Sequence, residues 1–353
     1  MTRKRWSLTV AALLLTALAA IIALVVIVDP FEIYHRALFY NPPYESETQM
    51  YSVAGVARSY DYDSIIIGSS VTENCTPSVY EEALGGRFVK LCMNAGLSLD
   101  HAKIMDIALR THDVERVVYG LDLFAYSYYY NNQKAVTPDY LYDDHLFNDV
   151  RYWLNKSVLF SYIPKALKNA GTPDGESSRD SMYFRNPPSM PGEEALRSKI
   201  DFTVPMPEQK DSARMLELGE LSTKHNLLPY IQQHRDTTFT IFFPPYSLLY
   251  WANEAENGDF DAAMAQKQLI AEMLLSEPNV ELYDFQPRFE WTADYSLYYD
   301  LIHYISSIND AMALAMARGE NRITDTAQLR QSIDSLRKAV YALFPQEGAP
   351  LNP

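Results

Sequence analysis

Asp63-Ser64-Ile65-Ile66-Ile67-Gly68-Ser69-Ser70 decides how this chain is read. Four apolar or small β-forming residues run into Gly-Ser-Ser, the pattern of a buried strand that breaks into a turn. A serine at such a break becomes chemically interesting only if a base and an acid reach it. The counterpart lies far downstream, in Tyr298-Tyr299-Asp300-Leu301-Ile302-His303-Tyr304, running on to Asn309. There an Asp precedes a His by three residues, just ahead of a helix-like stretch.

Working outward from Ser64–Gly68, short apolar runs alternate with helical stretches. Strands are expected at Phe88–Met93, Val117–Leu123, Thr238–Phe243 and Val280–Phe285. Helices are expected at about Pro77–Leu84, Asp100–Thr111, Asp211–His225 and Asp261–Ser276, with another ending near Arg318. This alternation predicts an α/β fold with a parallel sheet covered on both faces, a three-layer α/β/α sandwich. Sites in open α/β sheets form at the carboxyl ends of strands. Gly68-Ser69-Ser70, Asn94-Ala95-Gly96, Gly120-Leu121-Asp122 and Pro244-Pro245 all fall at such ends.

The first residues have another character. Ser7 to Val28 carry no charge, a run long enough to cross ~30 Å of hydrocarbon as a helix. Arg3, Lys4 and Arg5 precede it, so the positive-inside rule predicts a cytoplasmic tail at 1–6, an anchor at 7–28 and everything beyond on the outer side of a cell membrane. The rival reading is a cleaved signal peptide with Ala17-Leu18-Ala19 as its site, but signal h-regions span only ~7–15 residues. Residues 29–59, with Asn41-Pro42-Pro43-Tyr44, read as a stalk. The α/β domain is expected at 60–320, interrupted at about 125–210 by a Tyr-rich insertion that suits a lid or cap. A C-terminal helix and tail take up 321–353, with a stripe of Leu329, Ile333, Leu336, Val340 and Leu343.

The formal net charge is −15, which argues against nucleic acid as a partner. Cys75 and Cys92 are the two cysteines; outside the cytoplasm they are permitted to pair, and Cys92 in an apolar strand also suits a small buried hydrophobe. Zinc-protease, phosphate-loop and dinucleotide signatures are absent, so neither a metal nor another cofactor is expected.

Gly68-Ser69-Ser70, Asn94-Ala95-Gly96 and Asp300-Leu301-Ile302-His303, in this order, resemble the SGNH/GDSL hydrolase superfamily. The closer resemblance is to its membrane-anchored cell-envelope branch, which includes the D-alanyl-lipoteichoic-acid transfer protein and the alginate O-acetylation proteins. It covers roughly residues 63–122 and 238–317 and leaves the insertion and the C-terminal helix unaccounted for. It implies Ser70 as nucleophile, His303 as general base and Asp300 as the group that orients it. It also implies an oxyanion hole from the N–H groups of Ser70, at a helix start, and Gly96. Many relatives carry an Asn at the end of the third strand, where this chain has Asp122, and an ionised carboxylate at the mouth of the site would repel an oxyanion. Asp122, Asn94 and Tyr246 are the candidate substrate-binding residues. The implied activity is a serine esterase or O-acyltransferase on a cell-envelope glycopolymer; the alternative is a catalytically silent subunit beside a polytopic membrane acyltransferase. Taken alone, Ser69 and Ser70 read first as helix caps, a reading that the downstream Asp300 and His303 reverse, and Asn94–Gly96 reads as a strand-ending turn.

Overall fold

In the computed structural model of the chain, the described residues are 3–345 except 43, 134–136, 172–178 and 186–188. The tail after 345, Pro43 of the expected stalk and most of the polar stretch in the insertion therefore lie outside them. The chain is α/β, with a mixed six-stranded sheet and one apolar N-terminal helix. The strands are β1 (Ser64–Gly68), β2 (Phe88–Cys92), β3 (Arg116–Gly120), β4 (Thr238–Phe243), β5 (Val280–Asp284) and β6 (Arg322–Ile323).

Sheet order is β2-β1-β3-β4-β5-β6; the first five strands run parallel and β6 pairs antiparallel to β5. Every residue of β1 and β2 is buried, and successive side chains point to opposite faces, so both faces of that part of the sheet are covered. The order reverses between β1 and β3, the kind of crevice where α/β sheets place their sites.

The helices divide by what they touch. The apolar helix is α1 (Arg3–Val28) and the next is α2 (Gln49–Ser59). Then come α3 (Pro77–Leu84) and α4 (Ser98–Thr111). The insertion holds the short helices α5 (Val150–Trp153), α6 (Ile163–Lys168) and α7 (Glu193–Arg197), with a π-helical turn at Val158–Tyr162. After it follow α8 (Ala213–Asn226), α9 (Leu228–Gln233), α10 (Leu248–Glu256) and α11 (Phe260–Leu275). The last are α12 (Phe289–Thr292), α13 (Ser306–Ala317) and α14 (Thr326–Tyr341). Helices α4, α8 and α11 pack in series, α3 packs on α13, and α14 lies on α10 and α11. The α14 stripe is buried at Leu329, Ile333, Leu336 and Val340, and Asp325 caps the helix by accepting from the N–H groups of Ala327 and Gln328.

The expected stalk is not an extended tether. Its last third is α2, whose Ser52–Ala57 are buried and which packs on α4 and β2. Gly55 lets the loop after α1 run close against this helix: a Cβ there would meet the Phe31 carbonyl oxygen at 2.1 Å. Ahead of α2, the buried Asp29 accepts from the Tyr34 N–H at 2.7 Å and the Tyr152 hydroxyl at 2.9 Å. The folded domain thus begins where α1 ends. Cys75 and Cys92 are buried free thiols, and the pairing that an outer location permits is not formed.

Candidate active site

Gly68 ends β1 with φ 153°, and a Cβ there would meet the Thr72 methyl at 2.8 Å and the Gly120 carbonyl oxygen at 3.0 Å. That is why glycine stands where β1 must turn sharply beside β3. The turn is a single 3-10 turn, Ser70–Thr72, tied by the Thr72 hydroxyl donating to the Ser69 carbonyl at 2.7 Å. Ser70 therefore does not open a helix as expected. The next helix, α3, starts only at Pro77, so no helix dipole of useful length stands behind Ser70.

Across the crevice, the segment before α13 is held by its own ladder. The Tyr299 N–H donates to the His303 carbonyl at 2.8 Å and the Ile305 N–H to the Leu297 carbonyl at 2.9 Å. The Ser247 hydroxyl donates to the Leu301 carbonyl at 2.7 Å, fixing the segment to the loop after β4. Within it, Asp300 curls its carboxylate back on the next residues. Oδ1 accepts from the N–H groups of Ile302 (2.8 Å) and His303 (2.7 Å), while Oδ2 lies 2.7 Å from His303 Nδ1. The other ring nitrogen, His303 Nε2, lies 2.7 Å from Ser70 Oγ. Three side chains separated by up to 233 residues thus form one continuous Ser-His-Asp relay.

Burial works against the charge of Asp300. The hydrogen bond and charge of His303, with the two backbone N–H groups, outweigh it and hold the carboxyl at about 2. The aspartate is ionised at any ordinary pH. It fixes Nδ1 as the protonated nitrogen and leaves Nε2 as the acceptor facing Ser70.

The other expected site residues behave differently. Gly96 is buried and its N–H donates to the Met93 carbonyl at 2.9 Å, closing the Asn94–Gly96 turn, so the expected oxyanion donor is engaged in that turn. Asn94 donates from its side-chain amide to Ser46 Oγ at 3.0 Å, and both Asn94 and Gly96 line a cleft of about 530 Å³. Asp122 is not at an open mouth. It is buried beneath the crevice, accepts from the Tyr246 hydroxyl and lies against Ser69. Burial pushes its carboxyl up toward the neutral form, against the pull of Ser69, Tyr246 and the His303 charge. Tyr246 is buried as well, turned onto Asp122 rather than toward a ligand.

Sequence reasoning missed Arg185. The insertion brings its guanidinium to 3.4 Å from His303 Nε2 and 3.8 Å from the buried carboxylate of Glu73. Asn74 clamps its backbone on both sides, accepting from the Arg185 N–H at 2.8 Å and donating to its carbonyl at 3.1 Å. Arg185 lines the cleft with Asn94 and Gly96 and also the small notch over Ser70 and His303, joining the two. No motif marks it, because its position comes from the fold of the insertion.

Comparison with protein-family models, curated proteins and solved structures finds no match for the chain. The functional reading rests on the site itself.

Proposed function

We propose that the protein is a membrane-anchored, outward-facing serine esterase or O-acyltransferase of the SGNH type. Its substrate on this reading is a cell-envelope polysaccharide or teichoic-acid-like polymer. The observation that carries the proposal is the Ser70–His303–Asp300 relay, with both hydrogen bonds at 2.7 Å. A surface His and a loop Asp have no reason to meet a serine from the far end of the chain at the switch point of a sheet. A mostly parallel sheet with helices packed around it suits a three-layer SGNH-like sandwich. One N-terminal helix of sufficient length and apolarity suits the anchor.

On this reading His303 Nε2 takes the proton as Ser70 Oγ attacks the acyl carbonyl, and Asp300 stabilises the imidazolium that forms. The tetrahedral oxyanion draws on the charge of Arg185, the one cation within reach of His303 Nε2 among the described hydrogen bonds. His303 returns the proton to the leaving oxygen, which departs and leaves an ester on Ser70. A hydroxyl of the glycopolymer, or water, then gives its proton to His303 and attacks that ester. Product carries the acyl group away and Ser70 regains its proton. The cleft running from Arg185 past Asn94 and Gly96 to Tyr44 and Phe184 offers aromatic edges and polar groups that suit sugar rings.

A second reading, a silent subunit beside a polytopic membrane acyltransferase, is favoured by one observation: the Gly96 N–H is already engaged. Turnover separates the two. Full-length protein in detergent should hydrolyse p-nitrophenyl acetate, and Ser70→Ala should remove at least about 10³-fold of that rate, since the remaining groups of a dismantled triad give only residual catalysis. A rate unchanged in Ser70→Ala, with the fold intact, would refute the catalytic reading.

A further inference from the structure

Among the described residues, half of the exposed large apolar side chains outside α1 fall in two short stretches, residues 38–39 and 146–167. Phe147 is 97% and Phe160 75% exposed, and Leu38, Leu146, Leu154 and Leu167 join them. Such a concentration does not survive in water without a reason. Its elements are those that hold the end of α1. Both α5 and α6 pack on α1, whose last turns bury Val25 and Val28, while His35 Nε2 reaches the Val26 carbonyl at 2.7 Å and Gly171 donates to the Phe39 carbonyl at 3.1 Å.

The helices of this stretch are apolar toward both sides. Tyr152, Val158, Ile163 and Ala166 face the protein, yet Leu154, Phe160 and Leu167 face outward. Apolar side chains turned outward as well as inward, with cations beside them, are the composition of an interfacial surface. Charge adds an independent argument. In a chain with net charge −15, residues 146–167 hold three basic residues, Arg151, Lys156 and Lys165, against one acidic residue, Asp149, which is buried and bonded to the Tyr34 hydroxyl. Tyr34, Tyr152 and Trp153 meet beneath it through the Trp153 indole donating to the Tyr34 hydroxyl at 2.8 Å and Tyr152 donating to Asp29.

The geometry points to residues 146–167, with Leu38 and Phe39, forming a collar that lies in the headgroup layer of the outer leaflet. The occupant of this face is the lipid surface, in particular one with anionic headgroups. This rests on reading α1 as a membrane anchor, and depth gives the link. The uncharged run Ser7–Val28 measures ~33 Å as a helix, about one hydrocarbon thickness, so its last turns sit at the outer boundary. Elements packed on those turns share that depth. The domain is thereby held against the membrane by two contacts, a spanning helix and an amphipathic surface.

The test places an environment-sensitive thiol label at single sites of the full-length protein in nanodiscs of phosphatidylcholine and phosphatidylglycerol. Cys75 and Cys92 are buried and supply the unlabelled background. Labels enter at Phe147→Cys and Phe160→Cys in the collar, Leu13→Cys in α1, and Leu314→Cys, an exposed apolar position in α13 that packs on α3. Lipids carrying a shallow quencher should lower emission at 147 and 160 by at least about twofold more than at 314, with a blue shift on insertion. Quenching at 13 but equal emission loss at 147, 160 and 314 would overturn the collar and leave that face to a protein partner. If 13 is also untouched by quenchers at any depth, the anchor reading itself has failed. The labelled positions are so exposed that loss of folding is not expected; circular dichroism of each variant checks this.

Discussion

Asp122 shows how one residue changes meaning once its surroundings are known. Placed by sequence at the end of the third strand, it reads as an ionised group opposing the oxyanion. In the structure it is buried, tied to Tyr246 and Ser69, and its pKa is raised by burial, so its repulsion is weaker than an exposed carboxylate would give. An amide at this position keeps an acceptor for the Tyr246 hydroxyl and adds a donor without changing shape. Asp122→Asn should therefore leave the fold intact and raise p-nitrophenyl acetate hydrolysis by about tenfold, or ~1.4 kcal/mol of transition-state stabilisation. Steady-state rates of the two proteins check it. A drop would mean that the carboxylate itself orients the Ser69–Ser70 turn.

The residues of the relay were legible because each carries a local signature. Gly68-Ser69-Ser70 follows a strand, and Asp300 stands three residues before His303, the spacing at which one carboxylate can cap the turn and orient the ring. Gly96 stayed open between two readings because a glycine turn looks the same in sequence whether its N–H points into a cleft or back to its own strand. Its hydrogen bond to Met93 decides the matter, and that bond depends on the left-handed Ala95 (φ 50°), which no residue type announces.

At the scale of elements, the strands were readable from their β-rich apolar runs. All five parallel strands lie within two or three residues of expectation at each end. The antiparallel β6 is two residues long and carries no pattern at that length. Helix α2 was taken for part of a stalk because its buried run, Ser52-Val53-Ala54-Gly55-Val56-Ala57, is small throughout and lacks the large apolar side chains at helical spacing that mark a core-facing helix. The insertion is where local reading failed most. Its helices are four to six residues long, and their packing partners lie more than a hundred residues away, as in Arg185 on Asn74 and Tyr152 on Asp29. This insertion delivers Arg185 to the relay, so its contribution is testable. Arg185→Ala should lower ester hydrolysis by about 10²-fold through lost oxyanion stabilisation, with Arg185→Lys recovering part of it. The inward clamp predicts that Asn74→Ala moves the rate in the same direction by less. Unchanged rates in all three would remove Arg185 from the site.

At the scale of the molecule, the parts agree on one arrangement. The strand order reverses between β1 and β3, and the relay serine and Asp122 leave those two strands on either side of that point. The domain starts directly at the end of α1, and the insertion that grips α1 also supplies Arg185. On the proposed reading, membrane attachment and chemistry meet in one segment, which suits a substrate presented close to the bilayer. The central claim is that Ser70 is a nucleophile activated by His303. A fluorophosphonate probe tests it directly, because phosphonylation needs an activated serine and is independent of the natural substrate. Intact-mass measurement of the full-length protein after exposure should show one covalent adduct, mapped to Ser70, absent in Ser70→Ala and strongly slowed in His303→Ala. A folded wild-type protein that stays unlabelled, or labels equally in Ser70→Ala, would contradict the account.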